Sequence, residues 1–161
     1  MGHGYIGDYL PPPDPEDVIV NSRTMLTAVG GVATLLENNT GSPSVKGEIV
    51  SAGTTTGTFR VNAGDGPQPL GAVYTNAIPN GMNCWVVYSG PCDILLEDAT
   101  ATNAGNWVYV SNVAGRADGT LSAPPGGGIP ELDVHMGELG HSVQTTTAGT
   151  NKLSRIILHP N

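Results

Sequence analysis

The chain has 161 residues, enough for one domain with a sizeable core and an appendage. It carries 14 Asp and Glu against 6 Lys and Arg, a net charge of −8, so it cannot assemble the basic patch that nucleic acid or an anionic membrane requires. The 23 Gly and 13 Pro stand among 39% hydrophobic residues, which indicates many short strands joined by turns.

Residues 1–21 are predicted to form an extended N-terminal arm. A proline run imposes a polyproline-II conformation, which has no internal hydrogen bonds. The run comprises Pro11, Pro12 and Pro13, and the apolar residues before it are Tyr5, Ile6, Tyr9 and Leu10. Because the prolines hold these side chains away from the rest of the chain, we expect both groups to bind a neighbouring protein. The alternative is a flexible tail.

The same N-terminus has neither the positive start nor the apolar run of a signal peptide. No segment reaches the roughly 18 apolar residues that span a bilayer. We therefore expect a protein that is made and kept in a cytosol-like compartment and binds no membrane.

Residues 22–44 are predicted to be a linker or short strands. Apolar residues at helical spacing compete here with threonines and valines that favour strands. The adjacent Gly30 and Gly31 would cost a helix about 2 kcal/mol relative to alanine. We therefore predict two short strands around a Gly-Gly bend.

Residues 45–161 are predicted to form a β-barrel or β-sandwich body. Apolar runs alternate with turn residues about every ten positions, which is typical of these all-β folds. Two of the predicted turns are Ser89-Gly90 and Ala117-Asp118-Gly119. The predicted strands cover residues 46–52, 57–62, 71–76, 83–88, 92–97, 106–111, 134–144 and 152–159.

The two cysteines are predicted to be buried free thiols. A turn at Ser89-Gly90 would place Val87 opposite Cys92 and Cys84 opposite Leu95. The sulfurs would then lie apart, and free cysteines are commonly buried.

The histidines give no convincing metal site. His135 and His141 are six positions apart, which is about 20 Å along a strand. One metal ion could not join them unless the chain bends at Gly137 or Gly140. We expect unrelated surface histidines, with no metal and no cofactor.

The acidic residues and serines give no convincing active site either. The neighbouring carboxylates Asp93, Glu97 and Asp98 flank a predicted turn, where a solvated edge is expected rather than a glycosidase pair. No Gly-x-Ser-x-Gly elbow is present. We predict no catalytic residue and no enzymatic activity; a β-barrel enzyme is the least favoured alternative.

Trp85 and Trp107 each lie within an apolar run, which favours core packing. If both indoles instead lay exposed on one flat face, they would form a sugar platform. The alternative function is therefore a carbohydrate-binding β-sandwich module of a viral fibre or an enzyme accessory domain.

Several short motifs follow one another in a recognisable order. A Gly-Ala-Val strand after a proline loop is followed by a hydrophobic strand broken at glycine, an Ala-Gly-Asn-Trp-Val-Tyr-Val strand, a Gly-rich strand and a closing apolar strand. They lie at residues 69–73, 85–96, 104–110, 136–143 and 154–158.

This order resembles the capsid decoration (cement) proteins of tailed bacteriophages over roughly residues 69–159. The sequence departs from that pattern at Asn106, where the family often has Asp, and at Gly140-His141, where a small apolar pair is usual. The resemblance implies a small β-barrel without catalytic residues that uses an N-terminal arm to bind the major capsid protein, as a homotrimer. The expected location is the outer capsid surface of the virion, after synthesis in the host cytoplasm.

Overall fold

A computed structural model describes residues 18–21, 23–64, 68–121 and 137–159. These residues form eleven β-strands and no helix, which confirms the all-β prediction, and so no described helix could cross a membrane. The strands are β1 (Val18–Asn21), β2 (Thr24–Leu26), β3 (Val32–Asn38), β4 (Ile49–Ala52), β5 (Thr58–Val61), β6 (Gly71–Val73), β7 (Asn83–Leu95), β8 (Trp107–Val110), β9 (Ala117–Leu121), β10 (Glu138–Ser142) and β11 (Leu153–Leu158).

Five strands close into a small barrel in the order β3-β5-β4-β6-β7, because β7 pairs with both β6 and β3. All of these pairings are antiparallel except β3 with β5. β2 and β3 flank a bend at Gly30-Gly31, where Gly30 has a φ of 90°, so the predicted pair of short strands is confirmed. β3 is one of the five strands of the barrel, so the barrel begins before residue 45, the predicted start of the body.

β7 is one strand of 13 residues, so the predicted turn at Ser89-Gly90 is wrong. Its first half pairs with β3 and β6 and its second half with β11, which means that β7 passes from the barrel into a second sheet. Gly90, with a φ of 83°, and the register shift opposite Val32 and Ala33 bend the strand instead of reversing it. Strands commonly switch sheets at such a bend or bulge.

The second sheet has the order β7-β11-β10-β8-β9, and every pairing in it is antiparallel. The turn predicted at Ala117-Asp118-Gly119 is wrong, because these residues belong to β9. A register shift opposite β8 accommodates the Asp-Gly pair within the strand. At the other end of the strand order, β1 pairs with β2, so residues 18–21, which were assigned to the arm, are a strand.

Two apolar clusters lie on opposite faces of β7. The smaller cluster, inside the barrel, contains Cys84 and Val86, while Trp85 and Val87 join the larger one between the barrel and the second sheet. Successive strand residues point to opposite faces, so a strand covered on both sides is apolar at consecutive positions. This double burial explains the unbroken apolar run of β7 and makes it the central strand of the fold.

Candidate functional site

The residues predicted to bind a partner lie outside the described part of the chain. They are Tyr5, Ile6, Tyr9, Leu10, Pro11, Pro12 and Pro13. The description begins at Val18 in β1, which stands at one end of the strand order. The arm therefore stays a prediction. It would join the body at β1, an edge strand of the barrel sheet.

On the second sheet, the face turned away from the core carries an aromatic and apolar row across three strands. Trp107 of β8 lies directly opposite His141 of β10, which in turn lies opposite Ile157 of β11. The Trp107 and His141 ring centroids are 4.2 Å apart, and Ile157 remains 39% exposed. The row thus combines an accessible apolar side chain, that of Ile157, with the His141 imidazole, which packs against the Trp107 indole.

A bulge adds an acidic residue to this face. Glu138 and His141 are separated by an odd number of positions, so a regular strand would point them in opposite directions. The pairing of β10 with β8 shifts between Glu138 and Gly140, and Gly140 has a φ of 142°. Bulges of this kind re-aim side chains. This one places Glu138 and His141 on the same side.

Glu138, His141 and His159, which we call the histidine cluster, lie together at the end of the β10–β11 pair. His159 Nε2 is 3.4 Å from Glu138 Oε1 and 3.4 Å from His141 Nδ1. The three facing side-chain atoms all lie within 4.8 Å of one another. The Glu138 side chain is 8% exposed and that of His159 41%, so the cluster is anchored on the buried side and open to solvent on the other.

Sequence reasoning missed this cluster. The spacing of His135 and His141 was considered, but His135 lies outside the described residues, and His141 meets a histidine 18 positions away. The pairing of β10 with β11 creates that contact, and spacing along one strand does not reveal it. The one local signal is Gly140, since an isolated glycine within a strand pattern suggests a bulge.

The neighbouring carboxylates that were considered as a glycosidase pair each have a separate structural partner. Asp93 forms ion pairs with Lys46 at 3.4 Å and Arg155 at 2.9 Å. Asp98 pairs with Arg116 at 2.8 Å, and Glu97 accepts a hydrogen bond from a serine hydroxyl. These contacts tie strands and loops together, as expected for carboxylates with a structural role.

An open cleft of about 550 Å³ lies next to the start of β4. Lys46, Glu48 and Arg116 line it. Burial raises the pKa of the Glu48 carboxyl, and the positive charge of Arg116 partly opposes this effect. Because Lys46 and Arg116 already pair with Asp93 and Asp98, the cleft lacks the uncompensated cations of an anion-binding site.

The two tryptophans do not form a sugar platform. Trp85 is 1% exposed in the larger core cluster, whereas Trp107 is half-buried on the outer face of the second sheet. The prediction that both indoles pack in the core is confirmed for Trp85 and wrong for Trp107, because strand alternation in β8 places Trp107 on the face turned away from the core. The condition for the carbohydrate-binding alternative, both indoles exposed on one flat face, is therefore not met.

Cys84 and Cys92 are both buried free thiols, as predicted, although the hairpin used to predict them does not exist. They lie in different core clusters and are eight positions apart along β7, which corresponds to about 26 Å of strand. Burial raises the pKa of both, that of Cys92 to about 12, so neither has the lowered thiol pKa that is typical of a reactive cysteine.

A scan against protein-family models finds no match to the sequence, and a search of curated proteins finds none. Among solved structures, the fold is similar to the head fiber gp8.5 N base of bacteriophage phi29. The TM-score is 0.51 at 10% sequence identity, and the alignment covers 79% of this chain and 92% of that chain. The two proteins share a fold without recognisable similarity of sequence.

Proposed function

We propose that this chain is a structural protein of a tailed-bacteriophage virion that binds the outer surface of the assembled capsid as a decoration protein. The observation that carries the proposal is the fold. The alignment covers 79% of this chain and 92% of a chain whose name places it in the head fiber of bacteriophage phi29. That likeness supports a role in a phage particle, and the decoration-protein motifs support the capsid surface as the place.

The charge of the chain supports a position outside the shell. With 14 acidic and 6 basic residues, it would be repelled by packaged DNA rather than held by it. A position on the outer surface avoids this repulsion and leaves the major capsid protein as the partner.

The arm supplies the proposed contact with the capsid. Burying each of Tyr5, Ile6, Tyr9 and Leu10 would contribute about 1.5–3 kcal/mol, which can offset the cost of ordering the arm. Pro11 to Pro13 lower that cost by extending the chain in advance. On the shell we propose a homotrimer, following the resemblance to decoration proteins.

Co-sedimentation with undecorated shells tests both the function and the arm. The full chain is compared with a variant lacking residues 1–16, after circular dichroism has confirmed that the shortened body folds. A matched control replaces an exposed apolar residue of the body, Val113→Ser, which is 40% exposed.

The proposal predicts saturable binding by the full chain and by the Val113→Ser variant, and little binding by the shortened chain. If the full chain does not bind shells, the decoration function is wrong. If the shortened chain binds equally well, the function stands and the body, not the arm, makes the contact.

A further inference from the structure

The spacing within the histidine cluster is unusual for direct hydrogen bonds. Nitrogen donors in proteins usually lie 2.7–3.2 Å from their acceptors. Here His159 Nε2 is 3.4 Å from both of its neighbours, Glu138 Oε1 and His141 Nδ1. A single ring nitrogen thus faces two polar atoms at distances too long for good bonds to either.

The same spacing matches a metal-binding set. Zn²⁺ takes imidazole nitrogens and carboxylate oxygens at about 2.0–2.1 Å in a tetrahedral arrangement, which separates neighbouring ligand atoms by about 3.3–3.4 Å. Both distances from His159 Nε2 equal this separation. The remaining pair, Glu138 Oε1 and His141 Nδ1, lies within 4.8 Å, and a bound ion would draw these two atoms to the same separation. Magnesium and calcium prefer sets made of oxygen alone, so two imidazoles favour zinc over either of them.

The ligands are also held in advance of binding. Glu138 and His141 belong to β10, and His159 directly follows β11, with its backbone N–H donating to the Leu139 carbonyl at 3.2 Å. The Trp107 ring packs on His141 with an interplanar angle of 53°. Sites on paired strands with packed side chains are more exact than sites on loops.

We propose that Glu138 Oε1, His141 Nδ1 and His159 Nε2 form a binding site for one Zn²⁺ ion, with a fourth position open to solvent. The half-exposed His159 side chain provides the path by which the ion enters. The bound ion would join the start of β10 to the end of β11. The site is independent of the capsid-binding role, because it rests only on contacts within one chain.

Calorimetric titration of the full, untagged and chelator-stripped chain with ZnCl₂ tests the site. We expect one ion per chain. His141→Gln and His159→Gln should each weaken binding by about tenfold or more, since even outer-shell changes cost that much. Glu37→Gln removes an exposed carboxylate outside the cluster and should leave the affinity unchanged. MgCl₂ should give no saturable binding.

Two further measurements do not depend on how the variants fold. In ring ¹H–¹⁵N spectra of the unchanged chain, Zn²⁺ should shift the signals of His141 and His159. Co²⁺ should give the intense visible bands of a four-coordinate ion. The proposal is overturned by an absence of saturable Zn²⁺ binding, by unaltered affinity in His141→Gln and His159→Gln, or by the weak bands of six-coordinate Co²⁺.

Discussion

Gly140 in β10 lies against the carbonyl oxygen of Ile157 in β11 so closely that a Cβ atom at this position would collide with it. Its φ of 142° is also a conformation that residues with a side chain rarely adopt. The positive φ belongs to the bulge that turns Glu138 toward His141.

Replacing this glycine should therefore be costly. We expect Gly140→Ala to lower the free energy of unfolding by about 2–4 kcal/mol, because backbone strain adds to a clash that only a backbone shift can relieve. Urea denaturation measures this change. Gly137→Ala is the matched control, since a Cβ there meets nothing within 4 Å and the φ lies outside the restricted range, and it should change stability little. Equal effects of the two variants would contradict the account of the bulge.

The buried thiols should be inert in the folded protein. Because burial raises the pKa of Cys92 to about 12, almost none of its thiolate is present at pH 8, and burial raises the pKa of the Cys84 thiol as well. Ellman's reagent should react with neither cysteine in the native state and with both in denaturant. Rapid reaction of the native protein would show that β7 opens or that the thiols are accessible.

The raised pKa of Cys92 also makes the free energy of unfolding depend on pH in the alkaline range. The unfolded thiols lose their protons near pH 9.0, whereas the folded Cys92 holds its proton until about 12. The folded state therefore binds more protons between these values, and the free energy of unfolding should decrease as pH rises through this window. Denaturation of a Cys92→Ala variant should show a smaller decrease than the unchanged chain.

Glu48 should lower stability at neutral pH. Its carboxyl pKa is raised above the ordinary 4.5, mainly by burial, so the stability it contributes is complete below this value and is lost as pH rises. We expect Glu48→Gln to raise Tm at pH 7 and to have a smaller effect at pH 4. Glu37→Gln removes the same charge from an exposed position and serves as the control. A lower Tm for Glu48→Gln at pH 7 would mean that attraction to Arg116 outweighs burial.

The all-β class and most strands of the body could be predicted from the sequence because alternating apolar runs and turn residues are local signals. The predicted strand at 57–62, for example, contains β5, Thr58–Val61. The turn at Ser89-Gly90 was wrong for a nonlocal reason. A Gly-Pro pair such as Gly90-Pro91 is typical of a turn. Here, however, β11 pairs with these residues and those that follow, and the pairing keeps β7 extended.

The histidine cluster could not be predicted from spacing. His141 and His159 meet only because β10 and β11 pair in one particular register, and Glu138 joins them only through the bulge at Gly140. A short sequence motif determines neither the register of a strand pair nor the direction in which a bulge turns a side chain. Asp118-Gly119 illustrates the same limit, since a dipeptide typical of turns is placed within β9 by its pairing with β8.

The most direct test of the proposed function is an electron cryomicroscopy reconstruction of the virion that contains this protein. We expect the barrel and second sheet to fit density on the outer surface of the capsid, in groups of three, with the arm extending onto the major capsid protein. Single copies touching only the capsid would contradict the trimer and leave the decoration role in place. Density for this fold on the tail or inside the shell, with none on the outer surface, would contradict the proposed role as a decoration protein.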